Sequence, residues 1–126
     1  MIEGFRSLLA WQEAIILLNM VAQIVADLGG FDAKRAAGQL LSAAESVPSN
    51  IAEGYGKGFC ADNLRFLKIA LSSLDEVESR LLSAVAAQRI AQHRIELVLR
   101  QVRRVRSLIR GYMQYVQRQI DKAQSA

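Results

Sequence analysis

Seven residues near the C-terminus, Ile95, Val98, Val102, Val105, Ile109, Tyr112 and Val116, recur at strict three–four spacing. At about 100° per residue they share an arc of roughly 100°, one face of a long helix. A strand exposes its two faces in alternation and cannot bury such a set. One helix cannot shelter its own stripe either, so other elements of the same period must cover it. Three earlier segments supply them. The first, about 7–28, carries Leu8, Trp11, Ile15, Leu18, Ala22 and Val25, with Ser7 as expected N-cap and Gly29-Gly30 as stop. The second, about 33–55, opens at Asp32, carries Ala37, Leu40, Ala44, Val47 and Ile51, and stops at Gly54 and Gly56. The third, about 62–88, opens at Asp62 and carries Leu64, Leu67, Leu71, Leu74, Leu81 and Val85. The last runs over about 92–122. Short connections make successive helices antiparallel neighbours, which predicts a single all-α domain: an up-down-up-down antiparallel four-helix bundle.

Composition agrees with that reading. Hydrophobic residues are 52% of the chain and aromatics only 6%, so the core is aliphatic, and a single proline leaves helices unbroken elsewhere. One cysteine, Cys60, excludes an internal disulfide framework. No apolar run approaches the ~18 residues of a membrane span and nothing resembles a signal peptide, so the expected location is cytoplasmic, away from membranes. A second apolar flank on the first helix (Leu17, Val21, Ile24, Leu28) and on the third (Phe66, Ala70, Val77) exceeds what one stripe needs and predicts self-association; the other reading is a wide stripe within one core.

Charge is unevenly placed. Residues 1–88 hold 7 Lys/Arg against 10 Asp/Glu, whereas residues 89–126 hold 9 cations, eight of them arginine, against Glu96 and Asp121. Arg100, Arg103, Arg104, Arg106, Arg110 and Arg118 fall opposite the apolar stripe of the fourth helix. Arginines so spaced can contact successive phosphates of RNA or DNA. The other reading is a solvated face, partly neutralised by Asp75, Glu76 and Glu78 of a neighbouring helix. No aromatic residue interleaves these arginines in the manner of a base-stacking platform, so any binding is electrostatic and salt-sensitive.

The only proline, Pro48, stands inside the second helix in the run S-V-P-S-N-I-A-E-G-Y-G, 46–56. It removes the donor for the Ala44 carbonyl and is expected to kink the helix there. Asn50 and Glu53 lie on one face beside the Val47–Ile51 stripe. They are read either as a buried clasp, Glu53 to Arg65 and Asn50 to Ser72 or Ser73, or as a surface site. This run resembles the signature of the bacterial four helix bundle protein family, also called the 23S rRNA intervening-sequence protein family. F-R-S-L-L-A-W-Q-E-A at 5–14 and R-F-L-K-I-A-L-S-S-L-D-E-V-E-S-R-L at 65–81 extend the resemblance over roughly residues 5–116. It implies an up-down bundle assembling into a ring-like homo-oligomer, a pentamer, of poorly defined role. It also implies kinship with the accessory variability determinant of diversity-generating retroelements, a basic pentameric barrel that binds a reverse transcriptase and nucleic acid. A protein–protein adaptor docking such an enzyme is therefore the alternative to direct nucleic-acid binding.

Nothing points to catalysis, a metal or a cofactor. The single histidine, His93, falls at a helix start. Cys60 sits in a loop near Lys57 without a base. Asp75, Glu76 and Glu78 lack the Glu-x-x-His motifs of a di-metal bundle. G-Y-G-K-G at 54–58 lacks the spacing and preceding strand of a phosphate loop and reads as a helix stop.

Overall fold

The computed structural model describes residues 3–125 and contains four helices: α1 Leu9–Val25, α2 Ala33–Gly56, α3 Ala61–Ala86 and α4 Gln92–Ser125. Each packs on its neighbour in sequence, and α4 closes the bundle against α1. Contacts between helices run in opposite directions along the chain. Gln39 meets Arg80, and Ser46 meets Ser73, between α2 and α3. Glu13 meets Arg104, and Asp27 meets Arg94, between α1 and α4. Arg106 meets Glu78, and Tyr112 meets Asn63, between α4 and α3. These pairs are antiparallel, as the short connections require. Among the described residues no helix is long and apolar enough to cross a membrane.

The stripe of α4 is buried as read, with Ile95, Val98, Val102, Val105, Ile109 and Val116 in the core and Tyr112 half-buried. α1 is turned relative to expectation. Its core face is Ala10, Ala14, Leu17, Val21 and Ile24, whereas Trp11, Leu18 and Val25 are half-buried and Ile15 and Ala22 are exposed. The flank assigned to self-association is thus core, and so are Ala70 and Val77 of α3. α1 is apolar around most of its circumference, so periodicity offers two stripes without choosing. Packing takes the one containing Ala10 and Ala14, whose small side chains let neighbouring helices come close.

Helix ends depart from the reading at several points. Ser7 closes a separate 3-10 turn, Gly4–Ser7, its hydroxyl donating to the Gly4 carbonyl at 2.7 Å, and α1 starts only after Leu8. Asp62 lies within the first turn of α3, where its charge suits the helix dipole, and Cys60 holds the N-cap position. Asp32 does occupy the N-cap position of α2, but in the left-handed region (φ 58°) and without a capping side-chain bond. The α1 helix ends at Val25 and α4 continues to Ser125.

α2 runs without interruption through Pro48, which is buried. Just beyond it, the Asn50 side-chain amide donates to the carbonyl and hydroxyl oxygens of Ser46 at 2.8 and 2.9 Å. The Ser73 hydroxyl of α3 donates to the same Ser46 Oγ at 2.8 Å. One turn on, Gly54 is not a helix stop: α2 passes through it to Gly56. A Cβ at Gly54 would stand 2.7 Å from Asn63 Oδ1, 3.0 Å from the Asn63 carbonyl and 3.3 Å from Phe66 Cβ. The glycine is there because the backbone of α3 presses on that of α2. Asn63 is fully buried, and its amide donates to the Gly58 carbonyl at 2.8 Å, fixing the α2–α3 turn.

Two substitutions test this account by urea denaturation. Gly54→Ala must push α3 backbone away and should cost about 1–3 kcal/mol, despite alanine's better helix propensity. Gln88, in the left-handed region after α3 (φ 60°), should give the opposite sign: Gln88→Gly should add about 1 kcal/mol, because only glycine adopts that conformation without steric cost.

Candidate nucleic-acid interface

The arginines of α4 divide into two sets. At one edge of the helix Arg106, 18% exposed, donates to Glu78 at 2.6 Å and to Asp75 at 3.0 Å, both on α3. The Glu78 carboxylate, ahead of Asp75, raises the Arg106 guanidinium above its already high ordinary value. At the other edge Arg104 pairs with Glu13 of α1, and Arg94 with Asp27. Glu13 is only 14% exposed and also accepts from Gln101 Nε2 at 3.3 Å, which donates to the Glu13 carbonyl at 2.9 Å as well. These groups tie α4 to both of its neighbours. Arg104 and Arg106 are therefore structural cations first, as the neutralised-face reading foresaw for Asp75 and Glu78. Glu76 goes elsewhere, to Arg80 on its own helix.

Between those edges Arg100, Arg103, Arg110 and Arg118 are exposed and make no ion pair among the described residues. At 100° per residue they share an arc of about 80° centred away from the core. Ser107, Gly111 and Gln114 lie among them, and Arg103, Arg106, Ser107, Arg110 and Gln114 border a shallow groove along the helix. Small side chains between arginines leave room for an anion to approach the guanidinium groups. Chemically the strip offers charge and fork-shaped donors and nothing that could move a proton or bond.

The structure adds a feature invisible in the linear sequence. The α2–α3 turn brings Phe59 to α4, where its ring lies 5.7 Å from that of Tyr115, edge-on, with Tyr112 stacked 6.4 Å from Tyr115. Phe59 is 52% and Tyr115 43% exposed. An exposed aromatic pair thus sits one helical turn from Arg118. Spacing alone could not find it, since Phe59 and Tyr115 meet only through the fold. Burial raises the Tyr112 hydroxyl pKa, opposed by its hydrogen bond with Asn63.

The expected clasp takes a different form. Arg65 does not reach Glu53. It is exposed, pairs with Asp62 at 3.3 Å and covers the Phe66 ring at 4.5 Å. Glu53 is exposed beside a surface groove with Ser49 and Lys57. Asn50 reaches Ser73 only through Ser46. The reason is rotational: Gly54, not Glu53, faces α3, so the register is held by backbone contact and serines rather than by an ion pair. His93 is exposed at the start of α4, and Cys60 is a half-buried thiol donating to the Lys57 carbonyl at 3.4 Å. No cluster of metal-ligating side chains occurs among the described residues.

The Glu13 link carries a pH signature. Hydrogen bonding from Arg104, and then from Gln101, holds its carboxyl below the usual carboxylate value. A depressed folded pKa contributes stability that is complete above the unfolded pKa and disappears as pH falls through the folded one. Urea melts from pH 7 to pH 3 should therefore show Glu13→Gln less stable than wild type at neutrality, by up to about 1 kcal/mol. That gap should close with acidification.

A family model described as 23S rRNA-intervening sequence protein matches residues 6–111. No curated protein matches the chain significantly. The matched segment includes Pro48, Gly54 and the α4 arginines up to Arg110, and ends before Tyr112, Tyr115 and Arg118.

Proposed function

Since the chain belongs to the 23S rRNA-intervening sequence protein family, we propose that it is a non-enzymatic bundle that binds RNA or DNA through the outer strip of α4. The observation that carries this reading is the division of the arginines. Arg104 and Arg106 answer carboxylates on adjacent helices, but Arg100, Arg103, Arg110 and Arg118 make no ion pair among the described residues. Four unpaired guanidinium groups on one strip form a phosphate-binding track rather than a neutral surface. Recognition is electrostatic. The Phe59–Tyr115 pair next to Arg118 adds one place where an unpaired base can stack.

The working form is a homo-oligomer, a pentameric ring as the family resemblance implies. Exposed apolar side chains support assembly: Leu9 is 47%, Ile16 46% and Leu97 63% exposed. Leu97 projects from α4 between Arg94 and Arg104, the two residues that pair with α1, so it lies towards the helix that carries Leu9 and Ile16. In a ring the arginine strip repeats around the axis and its field adds.

The test is fluorescence anisotropy with a labelled structured RNA and a duplex DNA across a salt series, with oligomer mass checked by light scattering. Wild type should bind with a steep log–log salt slope. Changing Arg100, Arg103, Arg110 and Arg118 together to Gln should lower that slope by roughly 0.9 for each lost phosphate contact on duplex DNA. Assembly should be unchanged and melting no lower than in wild type, because none of the four makes an ion pair among the described residues and their mutual repulsion is removed. A wild-type oligomer that fails to bind at low salt, or a variant that binds equally, refutes the proposal and leaves docking of a protein partner.

A further inference from the structure

At the end of the bundle where α1 leads into α2 and α3 leads into α4, one buried cationic nitrogen has no hydrogen-bond partner among the described residues. α3 finishes in a Schellman motif: the N–H of left-handed Gln88 donates to the Val85 carbonyl at 3.0 Å, and that of Arg89 to the Ala84 carbonyl at 2.9 Å. The residue after the left-handed position usually lays an apolar side chain back on the last turn. Here that residue is arginine. Its carbonyl accepts from the Gly29 N–H at 3.3 Å, and its Cγ lies 3.6 Å from where a Cβ of Gly30 would stand. Backbone bonds on both sides therefore fix where the side chain goes. Its Nη1 is buried and has no hydrogen-bond partner among the described residues. A guanidinium cannot shed its proton to relieve this, so the unmet donor costs stability as the protein stands.

Arg89 borders a cavity of about 420 Å³, a size typical of small-molecule sites, roughly 300–1,000 Å³. Leu28, Leu40 and Ala84 supply apolar lining, and Ser79, Ser83 and Arg80 supply polar groups. Glu76 also borders it, but its carboxylate accepts from Arg80 Nε at 2.7 Å, while Arg80 Nη1 donates to Gln39 at 2.9 Å. That pair is self-satisfied, and Arg89 supplies the uncompensated positive charge. α2 begins beside the cavity, with Ala36 in its lining and with Lys34 and Arg35 and no acid in its first turn. A helix start is already positive; Lys34 and Arg35 lie outside the cavity lining, and the Asp32 carboxylate at the N-cap offsets one of them.

We infer that this cavity binds a small organic anion, its carboxylate or phosphate on Arg89 and a short apolar tail against Leu28 and Leu40. Both parts of the ligand are needed. Arg89 makes no ion pair and no side-chain hydrogen bond among the described residues, so the part of its guanidinium that borders the cavity calls for an anionic partner, and the aliphatic lining favours a tail over a bare ion. The site uses none of the exposed α4 arginines and stands or falls separately from nucleic-acid binding.

Isothermal titration and ¹H–¹⁵N spectra of the arginine Nε–H groups test it, with hexanoate as the anionic probe and hexylammonium as the cationic match. Hexanoate should bind saturably, move the Arg89 Nε–H resonance and raise the melting temperature, while hexylammonium should do none of these. Arg89→Met keeps the aliphatic stem and removes the charge. It should weaken hexanoate about tenfold or more, the worth of one charge-assisted hydrogen bond. It should also melt above wild type when no ligand is present. Ser83→Leu, at an exposed α3 position bordering the cavity, should block hexanoate with Arg89 intact. Equal binding of the two probes, unaltered binding by Arg89→Met, or absence of saturation by hexanoate overturns the inference.

Discussion

The close approach of Gly54 of α2 to Asn63 of α3 governs much of what surrounds it. A helix pair separated by side chains on both faces tolerates small shifts. A pair in which a glycine admits the opposing backbone does not, because there is no rotamer to adjust. The approach is secured on one side by the Ser46–Ser73 contact and on the other by the Asn63–Gly58 bond that shapes the turn. The Asn63 amide also contacts the Tyr112 hydroxyl at 3.4 Å, which extends the constraint to α4. The turn that carries Phe59 to Tyr115, and the level at which Arg80 meets Gln39, follow from that register. Pro48 fits the same picture. It sits in the stretch of α2 where Asn50 and Ser46 supply side-chain bonds, next to the backbone carbonyl that proline leaves without its donor.

How much of this was legible in the sequence depended on how sharply each helix distinguishes its faces. α4 has one apolar arc and charge on the remainder, so its core and its outer arginines could both be placed from spacing. α1 has no such contrast: the stripe chosen from periodicity lies roughly a quarter turn from the centre of the buried face, with Leu8, Trp11, Leu18 and Val25 at the edge of the core, and the two flanks together make one wide stripe. The decision rests on alanines at 10 and 14, and their value is in what they allow a neighbour to do. Gly54 was misread for a related reason. In G-Y-G-K-G a glycine signals a stop, and only the α3 backbone reveals that it serves close contact. Arg65 was assigned to Glu53 because opposite charges at matching levels invite pairing. Helix rotation put Gly54 at the interface and left the acid outside.

The basic end of the sequence also means something different once folded. A linear count treats the α4 arginines as one patch, whereas the bundle sorts them by angle. Those at the edges of α4 meet Glu13, Asp27, Asp75 and Glu78, so part of the N-terminal acidity is structural counter-charge. This explains the opposite signs of the two parts of the chain without invoking a partner. It does not account for the remaining arginines, which make no ion pair among the described residues.

Those remaining residues weaken the helix that bears them. Like charges three and four positions apart oppose helix formation by about 0.2–0.5 kcal/mol per pair, and Arg100, Arg103, Arg104, Arg106 and Arg110 present several such spacings. Ion pairs at the edges relieve Arg104 and Arg106 and leave the outer strip repelling itself. The exposed Gly111 in its midst adds about 1 kcal/mol relative to alanine, with no neighbour near enough to require it. α4 holds as a long helix because its apolar stripe is continuous and its edges are bound on both sides. The strip therefore stores repulsion that an anion placed along it relieves, and its energy depends on the ionic surroundings more than that of any other surface here. A second arginine, Arg89, meets the same condition in a different setting, inside a cavity instead of on a strip. In both places a guanidinium makes no ion pair among the described residues, and its charge is left for an anion from outside.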